Sequence, residues 1–161
     1  MRDFASIVIW LFVASFWEVV VAPLVSIYGV KPDIGMIIVI YMALFNRNPV
    51  ALIFGFFWGV VVDSMVPGNL GWSALLYLLV GYGIGHISTR FHWGTFAAQI
   101  LLVFGAVAFY QTGHFVVLNF DEPNTFVFHF VRYGLTTALY STLIWGLLRY
   151  FPGIHQVGKA A

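Results

Sequence analysis

Apolar positions run through this chain in six long stretches, each closed by a short polar or Pro/Gly break. The first covers about residues 4–28 and stops at Gly29, Lys31, Pro32 and Asp33. The second covers 33–45 and ends at Asn46, Arg47 and Asn48. The third covers 49–66 and opens on Pro49, a residue suited to a first helical turn. A turn carrying Pro67, Gly68, Asn69 and Gly71 leads to the fourth, 72–88. The fifth covers 94–118, and a polar loop with Asp121, Glu122 and Pro123 precedes the sixth, 126–151, which Pro152 and Gly153 close. A helix needs about 20 apolar residues to cross the hydrocarbon core. The pattern therefore predicts an all-α integral membrane protein, with about six transmembrane helices in one bundle and a single domain over residues 1–161. The second stretch rises only about 20 Å. Its helix is expected to sit in thinned bilayer, inside the bundle, or as a partly re-entrant segment.

Composition sharpens this picture. Of 161 residues, 61% are hydrophobic and 8% charged, against about 25% charged in ordinary soluble domains. A soluble fold of this length could not hide so much apolar surface. The net charge of +1 carries no nucleic-acid footprint. Cysteine is absent, which excludes disulfides, thiolate metal sites and a cysteine nucleophile. The first stretch runs past signal-peptide length without a small-residue cleavage site, so it reads as a retained helix. Six crossings put Arg2, Arg47, Arg90, Arg149 and Lys159 on one side and Lys31 with Arg132 on the other. By the positive-inside rule both termini are then cytoplasmic. Tyr28, Trp72, Trp93 and Tyr150 fall near helix ends, as interfacial aromatics do.

Charged groups inside spans are candidates for function. Glu18, Asp33, Asp63 and Arg132 all fall in the outer half of the proposed bundle, where pairing would keep them at least expense. One reading makes Asp33 a helix cap after Pro32 and Asp63 with Arg132 a structural ion pair. The other makes the four a polar cluster lining an outward cavity or a partner-docking surface. Gly55, Gly59 and Asp63 share one helix face, and Gly81 with Gly85 repeats the spacing, a pattern that lets helix backbones approach closely. Internal packing is its ordinary meaning, and Gly71 belongs to the adjoining turn. His86, His92, His114 and His129 do not make a known metal motif, so neither a metal nor a cofactor is expected. Gln99 and Gln111 suit interhelical hydrogen bonds. The chain lacks a G-x-S-x-G elbow, a P-loop and a dinucleotide fingerprint, so it is read as no enzyme.

Order and spacing go further between residues 31 and 85. Lys31, Pro32 and Asp33 open the second helix; Gly55, Gly59 and Asp63 mark the third; Gly68 and Gly71 mark the turn; Gly81 and Tyr82 follow. This stretch resembles the rod shape-determining protein MreD family, with Trp58 and Val62 where smaller or leucine residues are more usual. The resemblance implies a non-catalytic scaffold of the cell-elongation and peptidoglycan-synthesis complex in a bacterial inner membrane. It implies binding to an MreC-like single-span protein and, through it, to an MreB-like filament and peptidoglycan synthases, within membrane lipid and without nucleic acid. It also implies a fold similar to the substrate-binding subunits of energy-coupling-factor transporters. The alternative is a solute-binding subunit of a vitamin-type transporter. Such subunits carry small-residue docking motifs in the first helix, and Ala14, Ser15 and Ala22 are a poor version of one.

Overall fold

The computed structural model describes residues 2–26, 29–45, 48–65, 71–88, 95–118 and 130–150. The expected turn at 66–70, the loops at 89–94 and 119–129, and the C-terminal residues 151–161 lie outside the described residues. With them go Arg47, Arg90, His92, His129 and Lys159 from the charge and histidine readings. The described residues are almost entirely helical, with short connectors such as 29–33 between the helices. They form α1 (Arg2–Phe16), α2 (Ala22–Val25), α3 (Ile34–Phe45), α4 (Asn48–Met65), α5 (Trp72–Ser88), α6 (Phe96–Leu118) and α7 (Thr136–Tyr150). A π-turn, Trp17–Val21, joins α1 to α2, and another, Phe130–Leu135, leads into α7.

The first π-turn has a local cause. Pro23 stands at the start of α2 and has no amide hydrogen to give to the preceding turn. The Ala22 N–H bonds instead to the Trp17 carbonyl, five residues back, which widens the helix by one residue. The continuous run Ala5–Val25 and the helix stretch Phe96–Val117 are each long and apolar enough to cross a membrane.

The short helix α3 is the centre of the bundle. Met36, Val39, Ile40 and Met42 are fully buried, and α3 packs against α1, α4, α5, α6 and α7. Burial inside the bundle, one of the outcomes open to the short second stretch, is observed. A helix apolar on every side is stable only when surrounded, and twelve residues suffice because the neighbours cover it. The outside of the bundle is apolar as well: Phe12, Leu24, Leu101 and Leu143 are 74%, 81%, 72% and 66% exposed. Water would penalise that surface heavily, whereas lipid accepts it.

The α4–α5 contact is built on the glycine face. A Cβ at Gly59 would overlap the backbone of Ala74 and come within 2.8 Å of the Ser73 carbonyl carbon, and one at Gly55 would meet the Tyr77 carbonyl oxygen at 3.3 Å. Gly81 faces Val39 of α3 and Leu52 of α4 across ordinary van der Waals distance, and Gly85 is buried. These glycines are spent on internal packing and leave that face closed to a partner helix. At Gly35 of α3, the position of a side chain is taken by the Trp58 indole. Two further ties close the bundle: the Trp72 indole N–H donates to the Gly113 carbonyl at 3.0 Å, and the Tyr140 hydroxyl donates to the Val25 carbonyl at 3.1 Å. The second satisfies a carbonyl that the end of α2 leaves without a helical partner.

Candidate functional site

Asp63 sits in the last turn of α4 and is 2% exposed. Its carboxylate accepts the amide hydrogens of Gly71 at 2.8 Å, Ser73 at 3.1 Å and Ala74 at 3.3 Å. These are orphan donors at the start of α5, where a helix dipole favours a negative charge. Gly71 occupies the capping position with φ +94° and has no side chain with which to cap, so Asp63 caps α5 from the preceding helix. Gly59 makes this possible, because its missing side chain lets the first turn of α5 settle against α4 one turn before Asp63. The expected ion pair of Asp63 with Arg132 is therefore corrected: backbone amides meet the carboxylate. Arg132 lies in the second π-turn with its guanidinium 5.5 Å from the centre of the Tyr133 ring.

Asp33 caps α3 in the ordinary way, accepting the Met36 N–H at 2.8 Å. It is also joined to the rest of the bundle. The Tyr77 hydroxyl donates to its two carboxylate oxygens at 3.0 and 3.1 Å, and its own N–H donates to the Ser141 hydroxyl at 3.0 Å. One residue thus connects the start of α3 to α5 and α7. Glu18, in the first π-turn, forms an ion pair with Lys31. Lys31 reaches it from the connector before α3, with its side chain 54% exposed against 16% for Glu18.

Glu18, Asp33 and Asp63 therefore each meet a partner outside the four: Lys31, the start of α3 with Tyr77, and the start of α5. Two of them, Glu18 and Asp33, line the same partly open cavity of about 360 Å³. Its walls include Lys31, Trp58, Tyr77, Tyr110 and His114; Asp63 and Arg132 stand outside the lining. Tyr77 and Tyr110 lie 4.7 Å apart between ring centres, and His114 stacks on Tyr110 at 5.8 Å. The Tyr110 hydroxyl reaches the Ser73 hydroxyl at 3.5 Å, which links the cavity to the capped end of α5. Trp58 Nε1 and His114 Nδ1 are buried and make no hydrogen bond. Among the described residues, no three His, Asp or Glu side chains come together as a metal site. His86 lies away from the lining, stacked on Tyr82 at 6.1 Å.

Sequence reasoning missed the aromatic half of this site. Tyr110 and His114 stand four residues apart and so share one face of α6, a signal visible in the sequence. Tyr77 and Trp58 gave none, because aromatics in apolar helices are ordinary core residues. Lys31 counted as an orienting charge and as part of the Lys31-Pro32-Asp33 opening of the second helix, not as a partner of Glu18.

A helical bundle with an apolar exterior, charges satisfied at one end and a polar pocket among them is a membrane protein. The family model for the rod shape-determining protein MreD matches residues 1–152, and the chain belongs to that family. Comparison with curated proteins and with solved structures finds no match. Membership gives the chain a role in rod shape determination, in a family that is not a known enzyme family.

Proposed function

We propose that this chain is a non-catalytic scaffold of the cell-elongation complex, holding an MreC-like single-span protein and, through it, an MreB-like filament and the peptidoglycan synthases. The family match over residues 1–152 carries this reading. The bundle lies in the bacterial inner membrane with six crossings and both termini in the cytoplasm, so that the end bearing Glu18, Lys31 and Asp33 faces the periplasm. The small-residue face of α4 is engaged by α5, so the partner's helix docks on the apolar outer surface of the bundle. The polar end then meets the partner's periplasmic base. Shape complementarity supplies the contact there, since apolar helices gain little from burial away from lipid.

The test is depletion of the protein from its source cell, followed by cell dimensions and the pattern of new wall insertion. Rounding, with loss of lateral insertion while division continues, is expected. Unchanged rod shape after complete depletion would refute the proposal.

A further inference from the structure

The helices fall into two packed groups. In the first, α4 and α5 lie backbone against backbone along Gly55 and Gly59, α3 packs on both, and α1 packs on α4. In the second, α6 packs on α7 and on the π-turn that leads into it. Glycines close this group too: a Cβ at Gly134 would lie 3.5 Å from the Gln111 Cβ, and one at Gly146 would lie 3.7 Å from the Phe96 ring. The chain passes from the first group to the second once, after α5.

Between the groups, among the described residues, packing is thinner and of another kind. Gly113 of α6 meets the end of the Leu76 side chain, not a backbone. The hydrogen bonds across the seam each need a side chain. The Trp72 indole donates to the Gly113 carbonyl at 3.0 Å and the Tyr140 hydroxyl to the Val25 carbonyl at 3.1 Å. The Asp33 N–H donates to the Ser141 hydroxyl at 3.0 Å, and the Tyr110 hydroxyl reaches Ser73 at 3.5 Å. Helices in contact through side chains slide past one another by small shears, whereas backbones seated on glycine have no such slack. The cavity lies on this seam. Lys31, Asp33 and Tyr77 line it from the first group, and Tyr110, His114 and Thr137 line it from the second.

We infer that the α6–α7 pair moves as one body against α1, α3, α4 and α5, and that this motion widens and narrows the cavity between them. The inference stands on the packing alone and does not depend on the scaffold reading.

Electron–electron double resonance between spin labels on the full-length protein in lipid nanodiscs tests it. The chain has no cysteine of its own, so Phe12→Cys, Leu79→Cys, Phe109→Cys and Leu147→Cys, all at exposed positions, carry the labels in pairs. The pairs 12/79 and 109/147 each lie within one group, and 79/147 spans the seam. A broader distribution across the seam than within either group is expected. Trp72→Phe with Tyr140→Phe removes two ties that do not line the cavity, and should shift the spanning distance while leaving the other two unchanged. Without labels, Thr137→Cys, buried on the cavity wall, should react with a water-soluble thiol reagent about tenfold faster or more in that variant, the population change expected from two lost hydrogen bonds. Tyr140→Phe alone loses only a hydroxyl and should give about a fivefold gain; it decides the question if the double variant fails to fold. A spanning distribution as narrow as the other two, broadening of all three alike, or unchanged reactivity of Thr137→Cys would overturn the inference.

Discussion

Replacing Asp63 by alanine would leave three amide hydrogens at the start of α5 without their acceptor. Loss of an N-cap alone costs about 0.5–2 kcal/mol. Each buried polar group left unmet costs about 1–3 kcal/mol, although three amides in one turn relax together and do not sum. The expected loss is therefore about 3–4 kcal/mol, above a single cap and below three independent groups. Asp63→Asn keeps one acceptor oxygen and should lose about 1–2 kcal/mol. Unfolding in mixed micelles of rising SDS fraction, followed by tryptophan fluorescence, measures both. The double-mutant cycle with Arg132→Ala separates the two accounts of Asp63. Capping predicts additivity within about 0.5 kcal/mol. A favourable coupling of about 1.5 kcal/mol or more would show that the arginine, and not the helix start, is the partner. Gly59→Ala supplies the converse. Its Cβ would overlap Ala74 and move the first turn of α5 off the carboxylate, so its effect combined with Asp63→Ala should be less than the sum.

Other consequences follow from single contacts. Tyr77→Phe removes the hydroxyl that donates to Asp33 and should lower stability by about 1.5–3 kcal/mol in the same assay; no change would mean that the carboxylate finds another donor. Tyr140→Phe frees the Val25 carbonyl and should cost about 1 kcal/mol, seen as faster hydrogen exchange at the end of the first helix; unaltered exchange there would count against the tie. Gly35→Ala puts a methyl group where the Trp58 indole lies, so a shifted tryptophan emission is expected, and an unchanged spectrum would contradict the packing. Lys31→Ala should change stability by less than about 1 kcal/mol because the lysine is largely exposed; a larger loss would make the ion pair a structural keystone.

The helices were legible in the sequence because hydropathy alone sets them in lipid. The stretch 72–88 coincides with α5, and 49–66 is within a residue of α4 at each end. The glycine face was legible too, since spacing by four on a helix predicts close approach. Three features were not. The first helix was expected to run to residue 28 without interruption, whereas the lost amide of Pro23 shifts its hydrogen bonding at Trp17. The partners of the charges were also hidden. Depth in the membrane places Asp63 and Arg132 at one level, but depth does not show that a helix start comes closer to the carboxylate than any cation. The cavity depends on aromatics from α4, α5 and α6 meeting around Asp33, a tertiary fact that the spacing of residues within one helix does not encode.

The central claim, that this bundle is a scaffold for a single-span partner, is tested most directly by its company in the membrane. The full-length protein, tagged at its C-terminus, is purified in mild detergent from its source cell, and the proteins retained are identified and quantified by mass spectrometry. An MreC-like protein in stoichiometric amount, with peptidoglycan synthases beside it, is the expected outcome. Recovery of the chain with an ATPase pair, or with no single-span partner, would contradict it.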